Sequence, residues 1–159
     1  MNQSYLQKLS KLKDQVKVEI KDEHLLRIES TPKSPFVYLD SEEGIIVIFG
    51  RSISDNVEFY SPILEFIDKH FQDNTMIQVY FRIIYCGSAS GKYLQLLVKK
   101  LDKIFLQGQD MNIFWFQEEE NYDIYTDGQE YQDFARIPFN IVELDDKELD
   151  DLDDFFSQL

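Results

Sequence analysis

Residues 77–92 read IQVYFRIIYCGSASGK, and the fold turns on how this stretch divides. Ile77, Val79, Phe81, Ile83 and Tyr85 are apolar at every second position, and Met76, Tyr80 and Ile84 make the intervening face largely apolar as well. A strand with that pattern is buried on both sides. Downstream, Leu94, Leu97, Val98, Leu101, Ile104 and Phe105 recur at helical spacing, with Lys99, Lys100 and Lys103 turned outward and Gly108 just past the end. This is a long amphipathic helix with a glycine stop. The Gly- and Ser-rich loop between them leaves the first N–H groups of the helix facing outward, where they favour an anion.

A phosphate at this loop can be bound or attached. Nucleotide binding of the Walker type needs four residues between its glycines and a Ser or Thr after the lysine. Here Gly87 and Gly91 enclose three residues and Tyr93 follows Lys92, which excludes that chemistry. Attachment makes Ser88 or Ser90 the acceptor, with the helix N-terminus and Lys92 stabilising the phosphoserine. A serine here also serves simply as a helix cap.

Working upstream, residues 25–29 and 36–39 are short strand candidates joined through Thr31-Pro32-Lys33-Ser34-Pro35, whose prolines keep the connection extended or turned. Residues 40–44 read as a turn, and residues 45–49 as a buried strand returning antiparallel and ended by Gly50. The loop 51–56 leads to a helix with Pro62 in its first turn and Ile63, Leu64, Ile67 and Phe71 on its apolar face. Downstream, residues 111–116 form another buried strand and the acidic residues 117–123 follow. Residues 122–134 read as a short or broken helix interrupted at Asp127-Gly128, and residues 137–144 as the last strand.

The fold class is therefore α/β: a single domain with a mixed β-sheet and helices packed against it. Right-handed crossovers make strands 45–49, 76–85 and 111–116 mutually parallel. Their following loops then emerge at one edge of the sheet, where α/β domains bind ligands. Arg51, Ser52, Ser88, Ser90 and Lys92 are expected on one exposed surface there, with Glu118, Glu119 and Glu120 at its rim.

The flanks read differently. In residues 1–22, Leu6, Leu9 and Leu12, with Val16 and Ile20, form a helical stripe, while Val16, Val18 and Ile20 equally alternate as on a strand. Either a helix packed on the domain or a docking segment satisfies the pattern. Residues 143–159 hold seven Asp or Glu after Glu143 against Lys147 alone. Like charges oppose a lone helix, so a disordered or loosely packed acidic tail is expected. Leu149, Leu152, Phe156 and Leu159 nevertheless allow an amphipathic helix lying on a partner or along the domain. The chain thus divides into an N-terminal extension, 1–22, a domain, 23–144, and an acidic tail, 145–159.

A formal net charge of −14 argues against nucleic acid or an anionic membrane as the main partner. The single Cys86 excludes an internal disulfide and fits a reducing cytoplasm. No apolar run is long enough for membrane insertion, and the N-terminus lacks a signal-peptide core. His24 and His70 are far apart, without a metal-ligating or nucleophilic constellation around either. Cys86 reads as a small buried hydrophobe, and residues 118–120 as a solvated acidic loop. No cofactor, metal or catalytic set is indicated.

Several segments in one order carry a resemblance: Thr31-Pro32 through Pro35-Phe36-Val37, Gly50-Arg51-Ser52-Ile53, Glu58-Phe59-Tyr60 with Pro62, residues 85–94, and Ile137-Pro138-Phe139. Over residues 24–143 the chain resembles the SiaC family of bacterial regulatory phosphoproteins, small domains related to the STAS domains of anti-sigma-factor antagonists. The resemblance implies phosphorylation in the 86–92 loop, its acceptor falling on Ser88 with Ser90 as second choice. The family's loop often carries Asn and a run of serines where this chain has Gly87, Ala89 and Gly91. Also implied are a serine/threonine protein kinase, a PP2C-like phosphatase, and a diguanylate cyclase that the unmodified protein binds and activates in c-di-GMP signalling. The partner-binding residues are then Arg51, Ser52, Gly87, Ser88, Ser90 and Lys92, and the protein itself is not an enzyme. The alternatives are an anti-sigma-factor antagonist in a partner-switching pathway and a small enzyme using the acidic sheet edge.

Overall fold

The computed structural model describes residues 3–53, 57–71 and 76–159. Seven strands form one sheet in sequence order: β1 (Val18–Lys21), β2 (Leu25–Ile28), β3 (Phe36–Asp40), β4 (Ile45–Ser52), β5 (Ile77–Cys86), β6 (Met111–Glu118) and β7 (Phe139–Leu144). The first four make an antiparallel meander, and β4 through β7 run parallel. Helices α2 (Val57–His70), α3 (Ser88–Leu106) and α4 (Tyr122–Phe134) are the crossovers of the parallel half.

Each parallel strand is laid on the same side of its predecessor, so right-handed crossovers place all three helices on one face. Helix α1 (Gln3–Lys13) joins them beside α2, where Lys8 pairs with Glu65 at 2.9 Å. The main core lies between this layer and the sheet, built from Ile46, Val79, Phe81, Ile113 and Trp115 below and Ile63, Leu97, Leu101 and Tyr131 above.

Both patterns in the N-terminal extension are used in turn. Tyr5, Leu9 and Leu12 are buried on α1, while Leu6 points to solvent. Val18 and Ile20 then alternate inward on β1.

Three expectations are corrected. Pro62 is not in the first turn of its helix: it is the sixth residue of α2 and is buried there. Its missing N–H costs that turn one backbone hydrogen bond, which the apolar seat of α2 outweighs. Helix α4 is not broken at Asp127-Gly128 but runs unbroken. Gly128 is a close-packing residue, since a Cβ there would lie 2.7 Å from Trp115 Nε1.

The third correction concerns the acidic C-terminus, which is neither disordered nor loose. Residues Asp146–Ser157 form α5, started by a capping box in which the Asp145 side chain accepts from the Glu148 amide and Glu148 reaches back to the Asp145 amide. It lies on the sheet face that the other helices leave open, with Leu149 and Phe156 buried. A strand apolar on both sides requires a cover on both faces, and this segment supplies the second.

Candidate functional site

The parallel strands deliver three chain ends to one edge. The register pairs Arg51 with Tyr85 and Ser52 with Cys86. Gly50, at φ +127°, sits at the register shift that precedes Arg51 and takes a backbone conformation that a side chain would strain. Residues 54–56 of the first loop lie outside the described residues.

Strand β5 pairs with β6 only as far as Phe81 opposite Trp115, whereas its pairing with β4 continues to Cys86. Past Phe81 the two strands separate, and this leaves Ile84 and Tyr85, expected inside, in solvent, with Tyr85 49% exposed. The Arg51 guanidinium lies over the Tyr85 ring, 5.3 Å from its centre.

The loop itself is short and tight. The Gly87 amide donates to the Ser52 carbonyl at 2.8 Å, and Gly87 rather than a serine is the N-cap of α3. A Cβ at Gly87 would press to 3.3 Å on the Ile53 carbonyl oxygen, so the position favours glycine on packing. The serine cap is therefore not used. Ser88 is the first residue of α3 and is exposed, as is Lys92 one turn on.

The expected common exposed surface holds for Arg51, Ser88 and Lys92 and not for two others. Ser90 is 0% exposed and Ser52 is 1% exposed. Ser52 shares a short hydrogen bond with the Tyr60 hydroxyl, and the Tyr60 ring stacks on Tyr93 at 5.2 Å. Burial pushes the Tyr60 phenol well up, the Ser52 bond opposing it in part. Together they form a buried support beneath the first turn of α3.

On the other side stands α4. The Tyr131 hydroxyl donates to the Gly91 carbonyl at 3.2 Å and ties the two helices together. A cleft of about 180 Å³ opens between them, lined by Cys86, Ser88, Gly91, Gln95, Asp127 and Glu130 among others. Burial first, then the charges of Glu130 and Asp123, hold the Asp127 carboxyl above the usual range. None of these three carboxylates makes an ion pair among the described residues. Burial, reinforced by Asp127, pushes the Cys86 thiol up to about 11, which makes it a poor nucleophile at neutral pH.

Residues Glu118, Glu119 and Glu120 are exposed at the end of β6, on the same edge. Asp127 and Glu130 were not singled out from the sequence, because their facing depends on α4 being unbroken and on its inward turn at Gly128. His70 packs on the Phe66 ring at 4.5 Å, away from this edge. Among the described residues no group of three or more His, Cys, Asp or Glu is arranged to hold a metal ion, and no helix is long and apolar enough to cross a membrane.

The same fold is found in solved structures. SiaC of Pseudomonas aeruginosa aligns with a TM-score of 0.69 at 17% identity, over 76% of this chain and 98% of that one. Apo-SiaC from the same organism gives 0.67 at 18% identity, over 74% and 97%. A chain in the crystal structure of the diguanylate cyclase SiaD in complex with its activator SiaC, also from P. aeruginosa, gives 0.69 at 18% identity, over 74% and 98%. At that identity the likeness is one of fold. No curated protein sequence matches the chain. The family model for the SiaC family regulatory phosphoproteins matches residues 28–144, a span that contains the whole edge described above. The chain belongs to the SiaC family of regulatory phosphoproteins.

Proposed function

We propose that this chain is a phosphorylation-controlled interaction switch whose acceptor is Ser88, acting in the cytoplasm and without catalysis of its own. Of the two serines in the loop, only Ser88 offers its hydroxyl to a kinase, and this contrast with the buried Ser90 carries the reading. Unmodified, the loop presents small residues beside the Arg51–Tyr85 pair, an apolar and polar surface against which a partner packs. Phosphorylation adds a charge of about −1.5 to −2 next to Asp127 and Glu130 and fills the cleft. The α3 N-terminus and Lys92 make that state tolerable to the fold, while a packed partner loses its seat.

The family and the likeness to a diguanylate cyclase activator point to such a cyclase as the partner bound and activated by the unmodified form. A serine/threonine kinase and a PP2C-like phosphatase would set the modification. In the same reading residues 23–144 carry the regulatory activity, and the segments on either side are additions to it.

The test supplies the cognate kinase to the native chain and to Ser88→Ala, maps phosphate by fragment-resolved mass spectrometry, and measures cyclase turnover with each form. A phosphate at Ser88, absent in the variant, with turnover raised only by unmodified protein, is the expected result. A 86–92 loop that stays unmodified in the presence of active kinase overturns it.

A further inference from the structure

The second face of the sheet is rich in aromatic rings. Tyr80 stacks near Phe114 at 5.6 Å and Phe116 at 6.2 Å, and Arg82, a charge only 6% exposed, stands among them on β5. Residues 28–144, the span of the family model, build nearly all of this face, while the helix that covers it begins at residue 146. The domain and its cover are thus separate stretches of sequence.

Helix α5 touches β7 and β6 as well as β5 and β4. Its Phe156 ring packs 5.6 Å from Phe49 and 6.2 Å from Tyr80, Asp153 meets Arg82 at 3.3 Å, and the Leu159 carbonyl accepts from Arg27 at 3.0 Å. The seat is specific in charge as well as shape. Arg82 is buried, so an occupant without a carboxylate at that point leaves the guanidinium unpaired in a low-dielectric site.

The cover rests on few anchors for its length. At 12 residues it is too short to persist as a helix away from the sheet. Asp146, Glu148, Asp150, Asp151 and Asp154 make no ion pair among the described residues and repel one another. Only Leu149 and Phe156 are fully buried, while Leu152 and Leu159 are half-covered.

We propose that this aromatic face is a second interaction surface, made for an acidic amphipathic helix of a partner protein, and that α5 occupies it in cis. The partner helix repeats the pattern of α5: apolar anchors at the spacing of Leu149, Leu152, Phe156 and Leu159, with a carboxylate three residues before the aromatic one to meet Arg82. The surface lies on the opposite face from α3 and does not depend on modification of Ser88.

Two measurements on the full chain decide the matter. Hydrogen exchange on the native protein is expected to show α5 amides exchanging at least about a hundredfold faster than those of β5, because the helix lifts off without unfolding of the sheet. A fluorescent peptide of residues 145–159 is expected to bind a chain carrying Phe156→Ala and Asp153→Asn about tenfold or more tightly than it binds the native chain. Replacing the peptide's own Asp153 by Lys should abolish that binding. Exchange of α5 at the β5 rate overturns the inference. So does a doubly substituted chain that stays folded by circular dichroism and ignores the peptide, or one that binds the peptide no better than native.

Discussion

Gly128→Ala tests the packing of α4 on the sheet. The introduced Cβ would lie 2.7 Å from Nε1, 2.8 Å from Cδ1 and 3.1 Å from Cε2 of Trp115. The indole cannot retreat easily: it is fully buried, its N–H donates to the Ile124 carbonyl at 3.2 Å, and Phe81 backs it at 5.4 Å. Overpacking of this kind costs about 1–3 kcal/mol, and loss of the indole bond about 1 kcal/mol more. Against this, alanine is a better helix former than glycine by about 0.8–1 kcal/mol. The net expectation is a loss of about 1–3 kcal/mol, or a melting temperature lower by about 3–9 °C for a chain of this length. Guanidinium denaturation followed through Trp115, the single tryptophan, measures it directly. The control is Gly91→Ala in α3, where an added Cβ meets nothing within 4 Å and stability should rise by up to about 1 kcal/mol. If Gly128→Ala is also neutral or stabilising, the close approach of α4 to Trp115 is wrong.

Tyr60→Phe strands the buried Ser52 hydroxyl, and should cost about 1–2 kcal/mol by denaturant titration while leaving the aromatic stack on Tyr93 intact. Asp102→Ala removes a carboxylate that accepts from the Arg136 amide at 2.6 Å and the Ile137 amide at 3.2 Å. With α3 released from the segment before β7, a loss of about 2 kcal/mol is expected in the same assay. With its thiol held near 11 rather than 9, Cys86 should react with iodoacetamide at pH 8 on the order of a hundredfold more slowly in the folded than in the urea-unfolded chain. Because the folded chain keeps that proton longer than the unfolded one, Cys86 leaves stability unaffected below about pH 9 and lowers it as pH rises toward 11, an effect that Cys86→Ala should remove.

The parallel half of the fold was legible because its strands and α3 carry strong periodicities, and sheet handedness then fixed which loops meet. That logic brought Arg51, Ser88 and Lys92 to one surface. It failed for Ser52 and Ser90 because periodicity does not tell which hydroxyl in a short loop turns inward; the Tyr60 partner that draws Ser52 down comes from another element. Gly128 was misread as a breaker because a glycine required by a neighbouring indole looks, in one dimension, like a glycine that ends a helix. The acidic tail was misjudged on its self-repulsion. What outweighed it was the demand of β5 for a cover on its second face, a demand already written in Tyr80 and its neighbours.

The strictly sequential strand order also governs how the protein is made. Each strand pairs with the one synthesised just before it, so the sheet grows in one direction as the chain leaves the ribosome, with local closures that favour rapid folding. Helix α5 emerges only after all seven strands. Until α5 has formed, the nascent sheet displays an uncovered aromatic layer, and the interval between pairing of β7 and docking of α5 is a time of exposure to aggregation.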